Sequence, residues 1–123
     1  MIRVVAGLVR KDGFVLIAKR SHGLEVNKWE FPGGKLEENE DEKDAIKREM
    51  LEELKIEVLV KDKIATVVHE DVNRPIELTL YDCEYLSGEV ELSAHFRYKW
   101  VLVRDLKNYE MPPADLKLLE YIK

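Results

Sequence analysis

A chain of 123 residues, 46% hydrophobic and 37% charged, predicts one compact soluble domain over residues 1–123, with no room for a second core of ordinary size. The formal net charge of −5 argues against a nucleic-acid partner, which usually meets a basic face. No apolar run approaches a bilayer span, the stretch from Met1 to Gly7 is too short for a signal peptide, and the lone Cys83 has no internal disulfide partner. The expectation is therefore a reducing, cytoplasmic setting with no membrane partner.

Ile2 to Val9 is rich in β-branched residues, and Phe14 to Ala18 is a second apolar run. Lys11-Asp12-Gly13 between them carries an Asp-Gly turn signal and predicts a hairpin. A polar connection from Ser21 to Lys28 leads to Trp29-Glu30-Phe31 and then Pro32-Gly33-Gly34, which must end a strand and lets the backbone approach a neighbour closely. From about Asp41 to Leu54 the pattern is helical, with an apolar stripe of Ala45, Ile46, Met50 and Leu54. Asn39 with Glu42 and Asp41 with Asp44 both fit as the N-cap pair, and the residues do not choose between them.

Ile56 to Val60 and Ile64 to Val68 are strand candidates, with a turn over residues 71–75 before Ile76 to Leu80. Beyond Leu80 the apolar phase shifts to Tyr81, Cys83 and Tyr85, which implies a bulge or burial on both faces. Arg97 to Val103 reads as a further strand. Met111-Pro112-Pro113 precedes a last helix whose apolar face is expected to include Leu116, Leu119 and Ile122. Strands, one long helix, strands and a terminal helix make an α+β class rather than repeated βαβ units. Cys83 falls in a strand-like run with no evident base beside it, so it reads as a small buried hydrophobe and not a nucleophile.

Glu49, Glu52 and Glu53 stand at i, i+3 and i+4, so a helix places all three on one side. Three glutamates so placed are open to two readings. One is a solvated acidic face paired with Arg48 and Lys55. The other is a set of hard oxygen ligands for Mg²⁺ or Mn²⁺, ions commonly shared with substrate phosphates. The Gly33-Gly34 turn upstream and the fixed spacing from it favour the second.

Gly34, five residues, Glu40, seven residues and Arg48-Glu49-Met50-Leu51-Glu52-Glu53-Leu54-Lys55-Ile56 closely resemble the signature box of the Nudix family. Trp29 to Lys35 resembles the MutT-type branch of that family, and Met111-Pro112-Pro113-Ala114-Asp115 is similar to its C-terminal base-reading element. The resemblance implies an α/β/α sandwich around a mixed sheet. It implies hydrolysis of a small-molecule nucleotide, a nucleoside triphosphate, to the monophosphate and pyrophosphate. Glu49, Glu52, Glu53 and the Gly33 carbonyl would hold Mg²⁺, with Mn²⁺ a substitute. Glu49 or Glu52 would serve as general base, and the residues do not separate the two. Arg20 and Lys35 are implied phosphate partners, Glu30 a ribose or base acceptor, and Asp115 a reader of the base. Gly34, Glu40 and Arg48 are implied structural parts of the box, with Arg48 orienting a carboxylate such as Glu40.

Two positions depart from the family pattern. Lys55 stands where the box usually has glycine, which bears on the helix end more than on the chemistry. Ala94 stands where many MutT-type chains carry a glutamate before the tryptophan of the penultimate strand, here Trp100. Either the box suffices, or Glu91 reaches in, or turnover is weak. His95 beside it is open to two readings, a substitute for that glutamate or, more commonly for a loop histidine, a surface group, and His22 and His69 give no site signal. Alternatives kept open are another nucleoside diphosphate derivative as substrate, and a nucleotide sensor with little turnover. Among triphosphates, the Ala-Asp ending favours a CTP-like pyrimidine over an oxidised purine such as 8-oxo-dGTP.

Overall fold

The protein is described by a computed structural model over residues 1–21, 23, 25–70 and 75–123. Strands β1 (Ile2–Lys11) and β2 (Phe14–Arg20) are joined by Asp12 and Gly13, both at positive φ, as a hairpin turn of matching twist requires. The hairpin pairs only at its turn, Arg10 with Val15 and Lys11 with Phe14. Beyond that the two strands splay. β3 (Trp29–Glu30) and β4 (Gly33–Lys35) fill the fork, β3 antiparallel to β2 and β4 antiparallel to β1. The Gly7 N–H donates to the Pro32 carbonyl at 2.9 Å where the chain crosses from one strand to the other.

On its other edge β1 runs parallel to β6 (Pro75–Ser87), which pairs antiparallel with β5 (Glu57–Glu70). The outer strand β7 (His95–Val101) pairs along β2. The sheet is therefore mixed, as expected. The two runs expected as separate strands at 56–60 and 64–68 form the single strand β5. Its register slips where Val60 faces Cys83, Lys63 faces Tyr81 and Ala65 faces Leu80. The polar Lys61-Asp62-Lys63 triplet that reads as a break is thus an exposed bulge. Opposite it, Leu78 and Leu80 enter one core while Tyr81 and Cys83 enter the other, so β6 is buried on both faces. Burial pushes the Cys83 thiol up to about 12, which leaves it inert. The expected turn at 71–75 lies, apart from Pro75, outside the described residues.

Helix α1 (Glu42–Leu54) starts at Asp41, whose side chain accepts the N–H groups of Lys43 and Asp44. Asn39 is instead at φ 61°, which excludes it as the N-cap. The stripe Ala45, Ile46, Met50 and Leu54 is fully buried against Val5, Val9, Leu16 and Val58. Each of the three larger side chains contributes about 1.5–3 kcal/mol by leaving water. The helix ends at Lys55 in the left-handed region, φ 60° and ψ 31°.

A 3₁₀ helix (Val103–Asn108) replaces the end of the strand expected to reach Val103, and α2 (Pro113–Leu118) continues into a second 3₁₀ turn (Leu119–Tyr121). These cover the opposite face of the sheet, where Leu106, Met111, Leu118 and Ile122 pack on Leu8, Ile17 and Leu80. Leu116, expected on the apolar face, is 47% exposed; Ala114 and Asp115 occupy the buried side instead. The helix is too short for a three-turn stripe, and its first turn sets which side faces inward. One helix on each face gives the α/β/α sandwich.

Candidate active site

The fork between β1 and β2 opens into a cavity of about 490 Å³, within the usual range for small-ligand sites. Arg20, Glu30, Gly33, Gly34, Lys35, Glu53 and Asp115 all line it, as do Ala94 and His95. His69, which carries no signal in the sequence, also stands in the wall. His22 lies outside the described residues.

The glycine pair has a steric cause. A Cβ on Gly33 would lie 2.0 Å from the Val5 carbonyl oxygen, and one on Gly34 would lie 2.4 Å from the Glu49 carboxylate. Only glycine lets β4 approach β1 and lets the helix carboxylate close on the strand.

On α1, Arg48 organises the acids. Its Nε and Nη2 donate to the two oxygens of Glu40 at 2.7 and 2.9 Å, a bidentate pair. Its Nη1 donates to Glu49 at 2.9 Å and to Glu52 at 3.3 Å. The guanidinium beside Glu40 holds that carboxyl below its ordinary range. Glu49 is largely covered, with 12% of its side chain exposed, while Glu52 is 58% exposed. Burial, followed by the neighbouring Glu49 carboxylate, raises the Glu53 carboxyl well above the usual carboxylate range. The three acids also sit in the last turns of α1, where the helix dipole disfavours negative charge; the last turn carries no basic residue of its own, and Arg48 one turn back and Lys55 Nζ on the Glu52 carbonyl supply the positive charge. Packing does not require acids there. Among the described residues no three His, Cys, Asp or Glu side chains are gathered as a finished ion cage; Glu52 is turned to Arg48 rather than to its neighbours.

Across the cavity, Asp115 is buried at the start of α2 and accepts the Phe31 N–H at 3.1 Å. Burial, then the charge of Glu30, pushes its carboxyl up to about 7. Arg20 is engaged by Glu30, Nη1 to Oε1 at 3.0 Å. His95 is not a surface group: its side chain is 1% exposed and its Nε2 lies 2.8 Å from Glu30 Oε2. The reason is a register shift in which Lys19 pairs with Arg97 but Arg20 pairs with His95. The extra residue, Phe96, reverses the side of the strand that His95 faces. Ala94 lies in the cavity wall and its carbonyl accepts from Ser21 Oγ at 2.9 Å. Glu91 is exposed and ties its loop to α1 through its N–H and the Leu54 carbonyl. At the helix end, Lys55 keeps the left-handed geometry that glycine adopts without strain.

The fold and site define an α+β class: a split mixed sheet between two helices, with an acidic helix end closing on a glycine pair beside a cavity lined by apolar and charged residues. The chain belongs to the NUDIX domain family, whose model matches residues 4–121. It is 35% identical over 121 residues to the CTP pyrophosphohydrolase of Escherichia coli strain K12, covering 98% of this chain and 90% of that protein. It is 29% identical to the 8-oxo-dGTP diphosphatase of Buchnera aphidicola subsp. Schizaphis graminum, covering 94% of this chain and 88% of that one. The crystal structure of a MutT NUDIX hydrolase from Burkholderia pseudomallei superposes with a TM-score of 0.89 at 27% identity, covering 99% of this chain and 98% of the other.

Proposed function

We propose that this protein, acting as one Nudix unit over residues 1–123, hydrolyses a nucleoside triphosphate to the monophosphate and pyrophosphate. The substrate class is CTP-like or an oxidised purine such as 8-oxo-dGTP, in line with the names of its relatives. The observation that carries the reading is that one cavity joins Glu53 of the acidic helix end to the buried Asp115 at the start of α2. A ligand spanning it meets acidic oxygens at one end and a buried polar reader at the other.

The residues fit a divalent cation. Gly34 leaves the space that the Glu49 carboxylate occupies, and burial beside Glu49 raises the Glu53 carboxyl above its ordinary range, a conflict that an ion there would relieve. Glu49, Glu52, Glu53 and the Gly33 carbonyl would hold Mg²⁺, or Mn²⁺ in its place, which neutralises phosphate charge and makes bound water more acidic. Arg48 keeps Glu49 and Glu52 in place, and one of these two takes the proton from the attacking water. Arg20 and Lys35 offer positive charge to the phosphates, and Asp115 offers a donor or acceptor to the base according to its protonation. Among the described residues no helix is long and apolar enough to cross a membrane, and the cytoplasm is the setting we propose.

Pyrophosphate release across a nucleotide panel with Mg²⁺ tests the reading. Turnover of a triphosphate, with ¹⁸O from labelled water appearing in pyrophosphate, supports attack at the β-phosphorus. Orthophosphate release contradicts it, and binding without turnover would replace it with a sensor role.

A further inference from the structure

The end of α1 that carries Glu52 and Glu53 is fixed from outside the helix. A helix leaves its last carbonyls without donors of its own. Here residues 88–94, the irregular stretch between β6 and β7, supply them. The Glu91 N–H donates to the Leu54 carbonyl at 2.9 Å, and the Ser93 N–H to the Glu53 carbonyl at 3.2 Å. Ser93 Oγ donates to the same Glu53 carbonyl at 3.2 Å and lies 3.4 Å from that of Glu52. The Glu52 carbonyl also takes Lys55 Nζ at 2.8 Å.

The stretch is seated along its length. Gly88 is at φ 100°, and a Cβ there would lie 2.5 Å from the Lys55 carbonyl oxygen, so only glycine lets the chain come this close. Its carbonyl accepts from the Tyr85 hydroxyl. Val90 and Leu92 pack on the core that holds Ile46, Met50 and Leu54 of α1. Between and after them, Glu91 and Ser93 turn their N–H groups to the helix end. Beyond Ser93, the Ala94 carbonyl accepts from Ser21 Oγ at 2.9 Å. A segment pinned in this way is a brace and not an arm that swings a side chain into the cavity.

Capping alone does not account for Ser93. Its N–H already satisfies the Glu53 carbonyl, and the Glu52 carbonyl already has Lys55 Nζ, so the hydroxyl is a further donor on each. What distinguishes Glu53 is its side chain, which lines the cavity with Gly33 and Gly34. Holding its backbone by two donors fixes where that carboxylate can reach. The donors also meet the negative end of the helix dipole, which eases the placing of acids in the last turn. Resting on the cation reading above, we infer that Ser93 is the positioning residue for Glu53. It sets the acid toward a bound divalent cation and touches no ligand itself.

The test compares the parent with Ser93→Ala, which removes the hydroxyl and keeps the N–H, and Ser93→Thr, which keeps both. Calorimetric titration with Mg²⁺ or Mn²⁺, without nucleotide, should show affinity about three- to tenfold weaker in Ser93→Ala, the worth of one hydrogen bond. Ser93→Thr should stay close to the parent. With CTP as substrate, Ser93→Ala should need more Mg²⁺ for half its maximal rate by the same factor. Its KM for CTP at saturating Mg²⁺ should stay within about twofold. A hydroxyl that only caps the helix would lower the melting temperature and leave the cation affinity at the parent's value. That result overturns the inference, as does an equal loss of affinity in Ser93→Thr.

The unmodified protein supplies a second check. Linkage works in both directions, so a cation that Ser93 helps to bind must in turn tighten the hold of Ser93 on Glu53. Mg²⁺ should slow hydrogen exchange at the Ser93 amide severalfold, and a rate that ignores Mg²⁺ contradicts the proposal. If neither ion binds the parent, the cation reading falls and this inference with it. If the ion binds with the expected dependence on Ser93 while no triphosphate is turned over, the hydrolase reading fails and this one stands. If cation binding and turnover are the same in all three proteins, only this inference fails.

Discussion

Asp115 holds its proton to a higher pH than a free aspartate because it is buried beside Glu30, at about 7 against an ordinary 3.8. Between those values the folded protein keeps a proton that the unfolded chain has released. The stabilisation from this group is complete below about pH 4 and is lost as pH rises toward 7. Metal-free protein should therefore melt at progressively lower temperature across that interval. Asp115→Asn should flatten the slope, since the amide keeps an acceptor for the Phe31 N–H and removes the titration. An equally steep slope in the variant would mean that the pH dependence arises elsewhere. Glu53 is raised for a related reason, burial followed by Glu49. Glu53→Gln should bind Mg²⁺ or Mn²⁺ much more weakly by calorimetric titration, with thermal stability unchanged or higher. Equal affinity in both proteins would take Glu53 out of the metal site.

The short strand β4 and the end of α1 allow paired tests of what each glycine or missing glycine does. Gly33→Ala drives a methyl into the backbone of β1, which cannot yield, so the fold itself should be lost or severely weakened. Gly34→Ala meets only the Glu49 carboxylate, which can swing aside. Its melting point should drop by a few degrees at most, while turnover falls on the order of a hundredfold, as a displacement of about 1 Å can cause. If activity and stability fell together in Gly34→Ala, the contact with Glu49 would be structural only. At Lys55 the backbone is left-handed, φ 60°, at a cost of about 1 kcal/mol that glycine avoids. Lys55→Gly should raise the melting temperature by a few degrees, and a decrease would show that the Lys55 Nζ contact with the Glu52 carbonyl outweighs the backbone strain.

Across the whole molecule, the site exists because a hairpin opens. β1 and β2 separate after two residue pairs, the Trp29–Lys35 stretch enters the gap, and helices seal the two faces. Glu49 is thereby brought against Gly34 beside Glu53 at some cost in repulsion, which a bound cation would remove. Saturating Mg²⁺ should then raise the melting temperature of the parent, by the equivalent of about 2.7 kcal/mol at a hundred times Kd. Chelation with EDTA should reverse the gain, and Glu53→Gln should show little of it. A parent whose melting point ignores Mg²⁺ would contradict a cation site in the folded state.

The amino-acid sequence by itself determined the parts whose geometry is local. The 3.6-residue period set the buried stripe of α1 and put Glu49, Glu52 and Glu53 on one side of it, where Glu52 turns to Arg48. Asp12-Gly13 made the turn, and the spacing from Gly34 to Ile56, with Lys55 its one departure, was enough to name the family. Tertiary structure decided the rest, because strand pairing is non-local and a one-residue slip reverses every side chain. It merged residues 57–70 into one bulged strand, chose Asp41 over Asn39 as the cap, and turned Leu116 out and Asp115 in. The bulge at Phe96 likewise put His95 against Glu30. No pattern within Ala94-His95-Phe96 carries that contact, because its cause is the pairing of β7 with a strand some 75 residues earlier.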